Sequence, residues 1–310
     1  MAIVTAPGRS PARSRAGAGR AARREAANGW LFVLPFVVVF LVAIVAPVGY
    51  AIGLSLFRDQ LVGGTAFVGG ANYLKALTDP ALWGGVLRVV LFLVIQVPIM
   101  LIIALVAALA LDSGRLRFAG AFRILLFLPY AVPGVVAVLI WGFIYGPRYG
   151  LAGSLNHALG AGLLEPLSPQ WVLGAIVNIV TWEFAGYNML IFYSALRTVS
   201  TELYEAAELD GAGPLRIVWS IKLPALRGAI VIATVFSIIG SFQLFNEPNL
   251  LKPLAPNAIV SSYTPNLYAY TLSFAGQQDN YSATVAIVMG VLTAVIAYVV
   301  QVRGMRRDAR

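Results

Sequence analysis

One carboxylate stands where a carboxylate is expensive. Glu183 is the single charge in the stretch from Pro166 to Leu196, and an ionisable group inside a long apolar helix normally faces a cavity or a partner. Tyr187 follows one helical turn later and Asn188 borders the same face. A carboxylate, a phenol and an amide together suit the hydroxyls of a polyol better than an ion or an amino acid. The competing reading is that Glu183 is a paired interface glutamate and that Tyr187 and Asn188 hold helices together. Gln243, Asn246 and Glu247 form a second polar group, expected to close a helix that Pro248 breaks. Lining a cavity mouth and capping the helix fit them equally well.

Reactive chemistry is otherwise sparse. With no cysteine and one histidine, His157, disulfides, thiolate nucleophiles and polyhistidine metal sites are excluded. No G-x-x-x-x-G-K-[ST] loop, serine nucleophile elbow or zinc-binding helix occurs. The chain reads as having no catalytic site, no metal and no cofactor of its own. If it moves a solute uphill, the energy must come from elsewhere.

The elements that position these groups follow from composition. Of 310 residues, 59% are apolar and 11% charged, far from the balance of a soluble protein. The chain is uncharged from Ala26 to Phe57, Val89 to Leu111, Ile124 to Pro147, Gly228 to Asn246 and Asn280 to Val302. About 20 apolar residues cross a bilayer as a helix, so six spans are predicted, near 30–56, 87–110, 123–145, 171–196, 228–246 and 281–302. The fold class is all-α integral membrane. Pro35, Pro47, Pro98, Pro129 and Pro133 mark expected kinks.

Of the 22 Lys and Arg residues, 17 fall in the tails and in the second and fourth connections, and five on the other side. The positive-inside rule then places both termini in the cytoplasm. It also accounts for the net charge of +9 without a nucleic-acid partner. Residues 1–25 are expected to be a disordered basic tail, residues 26–302 the membrane domain, and 303–310 a second cytoplasmic tail. Arg23-Arg24 before an apolar run mimics a secretion signal, but the run is too long for a cleaved h-region. The setting is an energised, multi-pass plasma membrane, expected to be bacterial.

The cytoplasmic connection 201–226 carries the most information. It reads as two short helices joined by a bend, with Gly211 free to take the left-handed turn that closes the first. Pro214 suits the first turn of the second helix, and Pro224 is expected to stop it. Ile217, Val218, Trp219 and Ile221 put large apolar side chains on a segment that should face water. A groove in another protein would cover them; the alternative is a loop folded onto the membrane surface.

Glu205, Ala206, Ala207, Gly211, Ile221, Leu223 and Pro224 meet the pattern E-A-A-x3-G-x9-I-x-L-P without departure. The pattern resembles the signature loop of permease subunits in binding-protein-dependent ABC importers. Leu34-Pro35, Ala46-Pro47, Leu54 to Phe57, Gly69 to Tyr73 and Ser241 to Phe245 are similar to the sugar-permease branch, with its maltose, trehalose and glycerol-phosphate types. The resemblance implies a type I importer fold. It implies that Glu205, Ala206, Ala207, Asp210, Gly211, Ile221, Leu223 and Pro224 couple to an ATPase. It further implies a second homologous permease, two cytoplasmic ATPase subunits that hold ATP and Mg, and an external solute-binding protein. The expected solute is a disaccharide or short oligosaccharide. Glycerol phosphate or another polyol is the alternative, and a stand-alone secondary transporter or a membrane scaffold is the remaining rival.

Overall fold

The computed structural model describes residues 29–60, 63–114, 116–160 and 162–308, with side chains as far as Gly304. The tail expected to be disordered, 1–25, lies outside the described residues. Two compact units divide between Gly53 and Leu54. The first is helix α1, Gly29–Ser55, apart from its last residues. A π-helical turn, Leu41–Val45, sits just before Pro47. The proline ring removes one backbone donor and crowds the carbonyl four residues back, and the wider turn absorbs the mismatch.

The second unit opens with an antiparallel hairpin, β1 (Phe57–Gln60) and β2 (Gly64–Phe67), with Phe57 opposite Phe67. This is an addition to the all-α expectation. Short helix α2 (Ala71–Thr78) leads to α3 (Pro80–Asp112). Asp79 caps α3 by accepting from the Ala81 N–H, Pro80 fills the first turn, and Pro98 is carried without a break. The helix therefore begins seven residues before the expected span.

The expected third span is not one rod. It is α4 (Ala119–Ala131) and α5 (Gly134–Ile144), bent by 96°. Val132 takes the extended backbone that a following proline favours, and Pro133 starts α5 without a donor to continue the ladder. Helices α6 (Leu151–Leu159) and α7 (Val172–Leu196) follow. His157 is exposed on α6, whereas Tyr145 is buried with its hydroxyl donating to the Ala175 carbonyl.

The connection 201–226 forms α8 (Thr201–Leu209) and α9 (Pro214–Ala225). Pro224 does not stop α9. The helix widens into a π turn at Val218–Lys222 and bends by 61° at Leu226 into α10 (Arg227–Phe242). The expected fifth span also ends early, at Phe242, and Pro248 lies inside α11 (Asn246–Leu251) rather than at a break. Then come α12 (Pro265–Phe274) and α13 (Asp279–Asp308). Among the described residues four helices are long and apolar enough to span, and up to six spans result if each bent pair counts as one.

Helices α3 and α7 form the most extensive helix pair in the second unit. Packing at its two ends differs. Near Val172, α7 packs with Leu251, Ile259 and Leu267. Near Leu196 it packs with Ala104, Ala108, Leu111 and Leu226. Beside the first end, Asp79 accepts from the Tyr281 hydroxyl at 2.6 Å and the Tyr268 hydroxyl at 2.9 Å, joining α3, α12 and α13. Burial pushes the Asp79 carboxyl up, but these two bonds and the Ala81 and Leu82 backbone groups outweigh it and hold it below its ordinary value. Burial and the Asp79 charge push the Tyr268 phenol up to about 12.

Candidate functional site: a polar cavity and a docking segment

Between the two packed ends lies a cavity of about 400 Å³, within the range of small-ligand sites. Helix α7 presents Val180, Phe184, Tyr187 and Asn188 to it, the i, i+4, i+7, i+8 stripe of one helix face. Helix α3 gives Phe92, Gln96 and Met100, and α10 gives Phe236, Ser237, Gly240 and Ser241. The turn after α10 adds Gln243, and the start of α11 adds Asn246 and Glu247.

One wall is aromatic. Tyr130, just before the α4–α5 bend, stacks on Tyr187 with ring centres 4.7 Å apart and planes 19° from parallel. Phe184 meets the same ring edge-on at 5.7 Å. Other lining residues are polar. Asn188 is anchored by donating to the Phe184 carbonyl at 3.0 Å, and the Gln96 amide lies 3.2 Å from the Met100 sulfur. Ser237 and Ser241 donate to the Ala233 and Ser237 carbonyls of their own helix, which leaves their oxygens free to accept. Among the described residues no lysine, arginine or histidine lines the cavity. A stacking face beside amide and hydroxyl groups, with no cation, can hold the ring and hydroxyls of a sugar.

Five of the six residues singled out for solute contact therefore meet here: Tyr187, Asn188, Gln243, Asn246 and Glu247. Glu183 does not line the cavity. It lies one position off the α7 stripe, buried, with its Oε1 3.1 Å from where a Cβ on Gly134 would stand. Its Oε2 has no hydrogen-bond partner, and Glu247 is the charge that acts on it. Gln96, Tyr130, Phe184, Ser237 and Ser241 were missed. Gln96 carried a signal, being the one amide in the run from Val89 to Leu111. Tyr130 carried none, because only the packing of α4 against α7 brings it to Tyr187.

The connection 201–226 is built as its residues dictate. Ser200 caps α8 by accepting from the Glu202 N–H. Gly211 has φ +78°, and the Ala212 N–H reaches the Ala207 carbonyl while that of Gly211 reaches Glu208, the double bond of a glycine-closed helix end. Leu209, Leu215 and Trp219 are 90%, 77% and 71% exposed, a concentration of apolar surface on a polar connection. Glu205, Ala206 and Asp210 are exposed beside them, and Ala207, Ile221, Leu223 and Pro224 are half-buried. Ile217, expected to be exposed, is buried. Behind this surface Lys222 Nζ lies 2.6 Å from Asp112 Oδ2 and 5.2 Å from the centre of the Tyr204 ring. Burial, and after it the Asp112 charge, push the Tyr204 phenol above its ordinary value.

Residues 74–306 match the family described as binding-protein-dependent transport system inner membrane component. The lactose transport system permease protein of Rhizobium radiobacter is 32% identical over 280 residues, 87% of this chain and 92% of that protein. The trehalose/maltose transport system permease protein of Thermococcus litoralis is 31% identical, covering 80% and 84%. An arabinooligosaccharides transport system permease protein of Bacillus subtilis is also 31% identical, covering 87% and 86%. In three dimensions the chain superposes on a chain of a bacterial ABC transporter involved in the import of the acidic polysaccharide alginate. The TM-score is 0.80 and the identity 18%, covering 91% of this chain and 98% of that one, a likeness of fold.

Proposed function

Because the chain belongs to the family of binding-protein-dependent transport system inner membrane components, we propose that it is the membrane-spanning permease subunit of an ATP-driven carbohydrate importer. It is a multi-pass membrane protein of a transport family. Its relatives, which include lactose, trehalose/maltose and arabinooligosaccharide permeases, support a sugar as the solute. The cavity carries the same reading. Its lining combines the Tyr130–Tyr187 stack with Gln96, Asn188, Gln243 and Asn246, with no cation among them, whereas glycerol phosphate would want a lysine or arginine.

The rest of the reading concerns partners. The α8–α9 segment docks into a cytoplasmic ATPase, with Leu209, Leu215 and Trp219 as the surface it covers. The complete importer holds a second permease, two ATPase subunits with ATP and Mg, and an external binding protein. This chain contributes no catalytic site. Both termini lie in the cytoplasm, in a bacterial inner membrane, which puts α8 and α9 on the side where ATP is. Purification in mild detergent tests the reading: an ATPase and a second permease should accompany the chain. Binding protein loaded with lactose, trehalose or maltose should stimulate ATP hydrolysis by that complex. A chain that purifies alone, or hydrolysis indifferent to all three sugars, overturns it.

A further inference from the structure

The segment that docks and the helix that lines the cavity meet at one charged contact. Lys222 and Asp112 form the one salt bridge among the described residues, with side chains 13% and 6% exposed. Asp112 is the last residue of α3, where the negative end of the helix dipole disfavours a carboxylate. A buried ion pair contributes little net stability over apolar side chains of similar volume, and setting a register is its best-attested use. The π turn Val218–Lys222 is a second irregularity at the same spot; one such turn inside an α-helix commonly marks a functional position. It ends on Lys222.

The third member is Tyr204. Helix α8 packs extensively against no other helix, its Leu203 and Leu209 point outward, and Tyr204 is its one large half-buried side chain. The Lys222 ammonium stands over that ring. Lys222 thus holds α8 on one side and the end of α3 on the other. From Asp112, α3 runs sixteen residues to Gln96 on the cavity wall, about 24 Å at 1.5 Å per residue. It is a stiff rod, packed along its length against α7.

We propose that Lys222 and Asp112 are positioning residues that transmit displacement of the docking segment to α3, and so to the cavity wall at Met100, Gln96 and Phe92. Lys222 occupies the open position of the I-x-L-P signature, so the device belongs to this chain's own residues. The proposal rests on the importer reading above. Coupling of this kind is reciprocal: solute at Gln96 biases the docking segment as the docking segment biases the wall.

The test uses the complete importer in proteoliposomes with its binding protein, and lactose, trehalose and maltose as probes. It reads solute taken up per ATP hydrolysed. Lys222→Met combined with Asp112→Asn removes both charges while keeping volume, so neither is left buried alone. The double variant should assemble and hydrolyse ATP, with uptake per ATP reduced about 5- to 150-fold, the span of ordinary intersite coupling. Lys222→Arg keeps the ion pair and should stay near the wild-type ratio. An unchanged ratio in the double variant overturns the proposal, as does a loss of uptake that follows the amount of assembled complex alone. Absence of stimulated uptake in the wild-type importer would instead overturn the functional reading, and this inference with it.

Discussion

Gly186 faces the carbonyl of Leu126 so closely that a Cβ would overlap it. Helices α4 and α7 touch backbone to backbone at that point, one residue before Tyr187 and four after Leu126 comes Tyr130. The contact sets the separation at which the two tyrosine rings stack. Gly186→Ala should therefore force the helices apart. A cost of about 1–3 kcal/mol is expected from overpacking, seen as a lower melting temperature of the detergent-solubilised protein. Loss of sugar transport per folded molecule should accompany it. An unaltered melting temperature would mean that α4 shifts freely and does not position Tyr130.

The aromatic wall gives a graded series. Tyr187→Phe keeps the stack and removes one hydroxyl; Tyr130→Ala removes the stacking partner, worth about 0.5–1.5 kcal/mol beyond its buried area. Solute-stimulated ATP hydrolysis titrated against sugar-loaded binding protein should weaken more for Tyr130→Ala than for Tyr187→Phe. The opposite order would show that hydroxyls, not the ring faces, carry recognition.

For Glu183 two outcomes separate contact from structure. If its carboxylate accepts a solute hydrogen bond, Glu183→Gln should lose about 1.5–3 kcal/mol of charge-assisted bonding, and Glu183→Ala more, with assembly intact. If it supports the α4–α5 bend at Gly134, Glu183→Ala should lower assembly and thermal stability, and uptake should fall only in proportion. Uptake per assembled complex, measured for both variants, decides.

In the docking segment, Gly211→Val places a β-branched side chain at φ +78°, a left-handed backbone that costs an L-residue about 1–2 kcal/mol. Glu205→Lys reverses a charge on the exposed face of α8. Either change should abolish stimulated hydrolysis and uptake while leaving membrane insertion intact. Normal uptake by both would remove the segment from the mechanism.

Asp79 makes the fold sensitive to acid. Its carboxyl is held below the ordinary value of 3.8 by Tyr281, Tyr268 and the start of α3. The folded state therefore binds the proton more weakly than the unfolded one. The stabilisation is complete above the unfolded value and is lost as pH falls through the lowered one. Melting temperatures measured from pH 7 down to about pH 3 should fall at the acid end for the wild type, and less steeply for Asp79→Asn, which starts lower. Parallel curves would exclude Asp79 as the source.

Much was legible in the chain alone because the bilayer imposes it. Apolar runs near 20 residues give the spans, and the Lys and Arg distribution gives an expected orientation. Ser200, Gly211 and Pro214 each fix a local backbone feature that needs no distant partner, so the docking segment was readable almost residue by residue. The spacing of Tyr187 and Asn188 also put them on one face of α7, the face that lines the cavity. Long-range geometry decided the rest. A proline pair could mark a kink near Pro129 and Pro133, but the 96° turn depends on what packs around it, and Tyr130 reaches Tyr187 through the packing of α4 on α7 at Gly186. Glu183 shares the Tyr187 face by spacing, yet one step of helix rotation takes it off the cavity stripe and against Gly134. The early end of α10 and the pairing of Lys222 with Asp112, 110 positions apart, follow from how α3, α7 and α10 pack. No local pattern encodes which side chains such packing brings together.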